Sequence, residues 1–345
     1  MTDRKQTILV TGGAGFIGSN FIHYLAKEYP DYQIINIDKL TYAGSLANLQ
    51  DIETNPSYQF IEGDIADYRL VSDVFDQHDI SGVIHFAAES HVDNSIENAS
   101  PFVVTNVVGT VNLLQAAKQS WEEKGELSER RFHHISTDEV YGSLENETDQ
   151  FTEETPYDPR NPYSASKASA NILVKSFSHT HGMNVVISSS SNNYGPRQHN
   201  EKLIPTILSK ALSLEPIPIY GDGQNIRDWL YVEDHCRALD LIYHQGTAGE
   251  SYNIGGGNEW TNLDLTMKIC LILNEMKPDV LDQASITSFQ DLITFVEDRP
   301  GHDLRYSVDD RKIRQSLGWK PNMALDSGLR STVEWYSRKW EKVKI

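Results

Sequence analysis

Tyr163 and Lys167 stand four residues apart, just behind Asn161-Pro162. Asparagine suits a helix cap and proline the first turn, so a helix is expected to begin here. Residues four apart then share one face. A free phenol titrates at roughly 10, and an ammonium beside it favours the phenolate. Such a tyrosine can take a hydroxyl proton while hydride leaves the same carbon. Taken alone, the pair is equally a surface helix contact worth a few tenths of a kcal/mol. A second cluster, Thr137-Asp138-Glu139, follows the expected strand 132–135. The carboxyl end of a parallel strand is where α/β sheets place ligands. Adjacent carboxyls raise each other's proton affinity, so one can stay protonated near neutral pH and serve as acid beside a base. The plainer alternative is a polar turn with solvated carboxylates.

A third pattern supplies the oxidant. Thr11-Gly12-Gly13-Ala14-Gly15-Phe16-Ile17-Gly18 follows a short apolar strand and opens a helical stretch. A pyrophosphate needs free backbone N–H groups at a helix N-terminus, and side chains would block its approach. Gly12 and Gly15 permit the tight turn, and Gly18 lets helix and strand pack closely. Asp38 ends the next strand, placed to accept hydrogen bonds from an adenosine ribose and to repel a 2′-phosphate. The reading is therefore NAD rather than NADP, and a nicotinamide cation would further favour a phenolate at Tyr163.

These groups need a scaffold. Strands are expected at 8–11, 33–37, 58–62, 82–86, 132–135 and 184–188. Helices are expected at 16–28, 67–77, 101–118 and 162–178. Short apolar strands alternating with helices mean βαβ units and a parallel sheet covered on both faces. Beyond residue 190, Pro and Gly cluster at 195–196, 216–223 and 255–257. We expect an α/β, Rossmann-type doubly wound parallel sheet with a smaller, interleaved C-terminal substrate domain. Residues 1–190 would form the NAD-binding domain, with a returning segment near 230–256, and 191–345 mainly the substrate domain. The acidic stretch 145–154 reads as a solvated loop.

Composition narrows the partners. The 345 residues carry 30 basic and 49 acidic side chains, a net charge of −19. That balance speaks against nucleic acid and anionic lipid. Cys236 and Cys270 are too few for a disulfide framework and read as reduced, buried thiols. The apolar run 7–10 is too short for a signal segment or membrane span, and a cytoplasmic setting is expected. The 12 histidines show no metal-ligand spacing, and His133 and His134 should face opposite sides of a strand. No metal is expected.

With the G-x-x-G-x-x-G loop ahead of Tyr-x-x-x-Lys, the sequence resembles the extended short-chain dehydrogenase/reductase family. The resemblance sharpens at 38–44, Ala-Ala-Glu-Ser-His-Val-Asp (87–93), His-Ile-Ser-Thr-Asp-Glu-Val-Tyr-Gly (134–142), Asn-Asn-Tyr-Gly-Pro (192–196), Glu-Lys-Leu-Ile-Pro (201–205), Arg-Asp-Trp (227–229) and 298–303. These are similar to the branch of sugar-nucleotide 4,6-dehydratases that acts on dTDP-glucose and most often feeds deoxysugar (dTDP-rhamnose) synthesis.

The resemblance implies cofactor contacts from Phe16, Ile17, Lys39, Leu40, Thr41, Asp64, Ile65, Ala87, Ala88, Glu89, Ser90, Thr105 and Asn193, besides the glycines and Asp38. Lys167 would hold the nicotinamide ribose. It implies a catalytic set of Thr137, Asp138, Glu139, Tyr163 and Lys167. It implies substrate contacts from Ser90, Thr137, Asn192, Lys202, Leu203, Pro218, Tyr220, Arg227, Asn262, Arg299 and His302. Arg227 and Arg299 suit a diphosphate, because guanidinium matches phosphate geometry. Tyr220 suits packing against the base.

Asn200 stands where the family carries an apolar residue or proline. A homodimer through 101–118 and 162–178 is the family expectation. The rivals are a sugar-nucleotide 4-epimerase, which has no use for Asp138-Glu139, and a non-catalytic NAD sensor. Sequence leaves thymidine and uridine open.

Overall fold

The computed structural model describes residues 6–146, 148–284, 286–298 and 302–343. Its strands are β1 (Thr7–Thr11), β2 (Gln33–Asp38), β3 (Tyr58–Glu62), β4 (Gly82–His85), β5 (Arg131–Thr137), β6 (Asn184–Ser190), β7 (Asn192–Tyr194), β8 (Ile217–Tyr220), β9 (Ile226–Tyr231), β10 (Ser251–Ile254), β11 (Glu259–Thr261) and β12 (Ile293–Val296). Seven form one parallel sheet in the order β10-β6-β5-β4-β1-β2-β3. Alternate residues pack on opposite faces of this sheet. Ile8, Val10, Ile34, Ile84 and Val186 pack on one face. Leu9, Ile35, Ile37, Val83 and Val185 pack on the other. Burial of both faces explains the short apolar runs at the centres of these strands.

Strand order reverses direction at β1. The chain runs outward through β2 and β3, then returns to place β4 on β1's other side. The crevice at such a reversal is where open α/β sheets hold ligands, and the glycine loop lies there.

A second core joins the helices Leu203–Leu212, Asn262–Met276 and Leu325–Val343. Around it lie a three-stranded sheet, β11-β9-β7, and the parallel pair β12-β8. The chain interleaves the two units. After β9, helix Val232–Gln245 returns to pack on helix Phe16–Glu28, and β10 adds to the large sheet beside β6.

Two expected helices differ from what forms. The span expected as one helix at 101–118 is a turn at Ser100–Phe102, a π-helical segment at Val103–Gly109, and an α-helix at Thr110–Glu123. The Thr110 hydroxyl donates to the Asn106 carbonyl at 2.6 Å, occupying the acceptor that a regular helix would use. The helix expected at 162–178 runs Pro162–His181 and stops at Gly182, whose φ of 67° is the usual left-handed helix end. Among the described residues, no helix is long and apolar enough to cross a membrane.

Candidate active site

The glycine loop builds a cradle. Gly12 has φ 73°. A Cβ there would meet the Ala87 backbone nitrogen at 2.6 Å, and one on Gly18 would collide with the Gly12 carbonyl. These two glycines thus allow backbone to approach backbone. Gly15 differs: its Cβ would find only the Gly12 oxygen, at 3.3 Å, and would otherwise project into open space. No side chain caps the helix that begins at Phe16, so its first N–H groups are free for an anion. The cradle fits a pyrophosphate.

Asp38, buried at the end of β2, accepts from Ala14 N at 2.9 Å and Leu40 N at 2.9 Å. Burial pushes its carboxyl up, and those two bonds oppose the shift. The bond to Leu40 holds that residue at φ 53°. Beside it, Lys39 Nζ lies 3.2 Å from Thr105 Oγ1, 3.5 Å from Asp64 and 3.6 Å from Glu89.

A cavity of about 300 Å³ runs from this cradle to the carboxyl end of β5. Gly12, Gly15, Phe16, Ile17, Gly18, Asp38, Lys39, Thr41, Asp64, Ile65, Ala87, Ala88, Glu89, Ser90 and Thr105 line one end. Thr137, Asp138, Glu139, Tyr163, Lys167, Asn192, Asn193 and Lys202 line the other. Leu40 is not among the lining residues and packs instead against the core on one face of the sheet. Asn193 is fixed by His235 Nδ1 at 2.8 Å and by its own bond to Ser190. Asn192 Oδ1 is buried without a partner. Lys202 donates to the Ser90 carbonyl at 3.0 Å.

At the chemical end, Thr137 closes β5 and caps the turn Asp138–Tyr141, accepting from Glu139 N at 3.2 Å. Its hydroxyl donates to Asp138 Oδ1 at 3.2 Å, while Asp138 Oδ2 is buried and unpartnered. Burial, then the Glu139 carboxylate, push Asp138 up to about 8. Asp138 is therefore mostly protonated at neutral pH. Burial also raises Glu139, but Lys202 and Arg227 pull it back.

Asn161 and Ser164 form a reciprocal capping box that fixes the helix carrying Tyr163 and Lys167. Lys167 Nζ donates to the Ile135 carbonyl at 2.6 Å. Here the expected phenolate needs correcting. Burial, then Glu139 and Asp138, raise the Tyr163 phenol well above its ordinary value, with a Thr137 hydrogen bond opposing. Burial also lowers Lys167 to about 7, so it carries only part of a charge at neutral pH. Desolvation outweighs the neighbouring amine, and lowering the phenol falls to the charge of a bound nicotinamide.

A second cavity, of about 390 Å³, opens on the far side of Glu139, which lines both. Arg227 and His302 line it, with Arg160, Asn161, Asp303 and Tyr306. The Arg227 guanidinium is buried and donates to the carbonyls of Ile226, Asp303 and Leu304, 4.3 Å from the centre of the Tyr306 ring. His302 pairs with Asp298 at 2.7 Å.

Four expected substrate residues line neither cavity. Leu203 opens a helix of the second core, Pro218 and Tyr220 lie on β8, and Asn262 bonds through its N–H to the Asn225 carbonyl. Arg299 lies outside the described residues.

Sequence reasoning passed over Tyr306 and Asp303, and the buried Asp228, whose charge adds to the rise of Asp138. Asp228 accepts from Gly256 N and Asn258 N, both at 2.7 Å. Its position in Arg-Asp-Trp, beside an arginine read as functional, was the available signal.

Comparison with known proteins bears on this geometry. Residues 9–332 match the family model described as GDP-mannose 4,6 dehydratase. The chain is 53% identical over 339 residues to a dTDP-glucose 4,6-dehydratase of Neisseria gonorrhoeae, covering 97% of this chain and 96% of that one. Its fold matches the crystal structure of a dTDP-glucose 4,6-dehydratase from Bacillus anthracis in complex with NAD. There the TM-score is 0.84 and the identity 42%, covering 97% and 98% of the two chains. The counterpart from Streptomyces venezuelae, also with NAD bound, gives a TM-score of 0.85 at 43% identity, with 97% and 98% covered.

Proposed function

The chain belongs to the GDP-mannose 4,6 dehydratase family of short-chain dehydrogenase/reductases, and within it to the dTDP-glucose 4,6-dehydratases, and we propose that Tyr163, Glu139 and Asp138 divide its proton transfers among them. It is an NAD-dependent hydro-lyase that converts dTDP-glucose to dTDP-4-keto-6-deoxy-glucose and water. Bound NAD supplies the means to take up a hydride from the sugar's C4 and to give it back at C6.

The protein's own groups do the rest. Tyr163 takes the proton of the 4-hydroxyl as the C4 ketone forms, and Thr137 hydrogen-bonds that oxygen. The ketone acidifies the C5 hydrogen, which Glu139 removes as a proton. The 6-hydroxyl is now β to a carbonyl, and Asp138 gives it the proton with which it leaves as water. Glu139 then returns its proton to C5. The proton gained by Tyr163 and the one lost by Asp138 cancel through solvent, and both residues are reset.

One observation carries this assignment: Glu139 sits where the two cavities meet, with a protonated carboxyl next to it in sequence. The cofactor cleft ends on its one side and the Arg227 chamber begins on the other. A sugar at that junction has its ring beside Glu139 and its diphosphate toward Arg227. Dehydration needs an acid and a base together, whereas simple oxidation and re-reduction at C4 needs neither carboxyl. In this reading Lys167 holds the nicotinamide ribose and His302 and Lys202 serve the substrate.

The names of the relatives favour thymidine as the base. The chain's charge and buried thiols support a cytoplasmic setting with neither nucleic acid nor membrane as partner. Val103, Val104, Val108 and Ile172 are all exposed apolar residues on the segments around 103–109 and 162–181, and a second copy covering them makes a homodimer.

Mass spectrometry of dTDP-glucose incubated with the protein in D₂O tests the reading. One water lost and one deuterium gained at C5 is the expected result. An isomer of unchanged formula would overturn it.

A further inference from the structure

A chain of hydrogen bonds runs beneath the cofactor cleft, from the end of β1 to the helix of Tyr163. It begins at Thr11, the residue before Gly12. The Thr11 hydroxyl lies 2.7 Å from His85 Nδ1, and the other ring nitrogen, Nε2, lies 2.9 Å from the Thr110 hydroxyl. Thr110 donates to the Asn106 carbonyl at 2.6 Å. The Asn106 side chain donates to Ser166 Oγ at 2.8 Å and to the Glu89 carbonyl at 3.0 Å, and accepts from Glu89 N at 2.8 Å. Ser166 donates to the Tyr163 carbonyl at 2.6 Å.

The proton positions in this chain are determined. A hydroxyl has one proton to give. Thr110 gives its proton to a carbonyl, which can only accept, so toward His85 the Thr110 oxygen must accept. Nε2 therefore carries the imidazole hydrogen, Nδ1 is bare, and Thr11 donates to it. His85 is fully buried, and burial holds its pKa well below the ordinary value, with Lys167 adding to the shift. A neutral ring with one donor and one acceptor is the only form that satisfies both threonines.

The π-helical segment Val103–Gly109 belongs to the same chain. Such segments are costly and gather at functional positions. Here the segment includes Asn106, facing Glu89 and Ser166 together, and it ends at Thr110, facing His85. Thr105, in the same turn, meets Lys39. The irregular turn thus serves three contacts that a straight helix would point elsewhere.

We propose that His85 and Thr110 are positioning residues for the first oxidation. They lock the glycine loop and the Tyr163 helix at a fixed separation, so that a cofactor held by one lies in register with the phenol carried by the other. This rests on the reading of Tyr163 as the C4 base. Neither residue lines either cavity, so their effect is on geometry and not on binding of sugar nucleotide. Misplacement of reacting groups by about 1 Å costs up to ~100-fold in rate.

The test uses Thr110→Val and Thr110→Ser in the full-length protein with NAD bound, with Tyr163→Phe as control. Valine keeps the volume and removes the hydroxyl. We expect Thr110→Val to lower kcat by about 10- to 100-fold with the KM for dTDP-glucose within about twofold, and Thr110→Ser to restore kcat. Circular dichroism and thermal unfolding identify a folded variant. If Thr110→Val does not fold, His85→Leu, which is close in volume and removes both ring nitrogens, replaces it and is expected to show the same kcat loss at constant KM.

Wild-type kcat in folded Thr110→Val, or serine and valine variants equally impaired, would overturn the proposal. So would a change in KM alone. Turnover by Tyr163→Phe would instead remove the base assignment, a separate failure visible in the control.

Discussion

Replacing Asp138 by asparagine isolates its proton. In the folded protein burial and the Glu139 carboxylate push this carboxyl up to about 8, so at neutral pH it is mostly protonated. An amide is close in shape to that neutral acid. Its oxygen can still accept from Thr137, at the place where Oδ1 now lies 3.2 Å away. Its nitrogen falls where Oδ2 already lies buried without a partner.

Asp138→Asn should therefore fold at pH 7 much as the wild type does, and its kinetic defect should be chemical. Loss of a positioned acid costs ~10²- to 10⁴-fold in the step it serves. In rapid-mixing experiments, C4 oxidation, followed by reduced-nicotinamide absorbance, should proceed near the wild-type rate. Release of water, followed by mass spectrometry of quenched samples, should slow by that factor.

The wild-type rate should also fall as pH rises through 8, by about tenfold between pH 7 and pH 9, as the acid form is depleted. The variant should lack that limb. The same group sets a slope in stability. A raised carboxyl means that the native state keeps a proton the unfolded chain has released, so wild-type stability falls as pH rises from the ordinary carboxylate range through about 8. Asp138→Asn should be the more stable of the two above pH 8. Equal slowing of oxidation and water release would show that Asp138 positions the site without acting as its acid, and an unaltered alkaline limb would refute the titration argument.

Three further substitutions have separable outcomes. Glu139→Gln should retain NAD and still oxidise C4 but exchange no deuterium into C5, with turnover reduced by ~10²-fold or more, as read by isotope mass spectrometry. Arg227→Ala removes a buried cation held by three carbonyls at the edge of the second cavity. It should raise the KM for dTDP-glucose by ~10-fold or more, on the scale of a charge-assisted contact worth about 1.5–3 kcal/mol, while NAD binding measured by calorimetry stays unchanged. Gly15→Ala should leave thermal stability within about 1 kcal/mol, because its methyl meets only the Gly12 oxygen. That methyl intrudes on the cradle, so NAD should be retained at least ~10-fold more weakly, as measured by ultrafiltration of the purified protein.

What the sequence made legible follows from what local pattern encodes. The large sheet could be read because most of its strands are buried on both faces and carry short apolar runs, such as Ile8–Val10 and Val185–Ile187, at their centres. The cradle and Asp38 were legible because the spacing of glycines around a pyrophosphate is fixed by backbone contact. Asp138 and Glu139 were visible as a pair at a strand end.

The pKa order was harder. Proximity of Lys167 suggested a lowered Tyr163 phenol, yet both groups are buried, and the cost of charge there moves the amine down and the phenol up together. Sequence spacing reports neighbours but not the dielectric they share. The π-helical turn at Val103–Gly109 was hidden for a related reason. Its apolar periodicity is that of a helix, and the departure is set by Thr110, which bonds backward to Asn106 and sideways to His85, a residue 25 positions earlier.

The second cavity was the least legible of all. Arg227 comes from β9, Tyr306 from a segment beyond β12, and Asn161 from a helix cap on the other unit. The interleaving that sends helix Val232–Gln245 and β10 back to the large sheet, with contacts such as Phe151 to Ser307 and Lys202 to Ser90, fixes the two units against each other. That return is what lets one carboxylate, Glu139, face the cofactor cleft and the Arg227 chamber at once. The chemistry therefore depends on this packing, including that of Phe16–Glu28 against Val232–Gln245, as well as on the groups in the site, because a shift between the units would separate the base from the sugar it must reach.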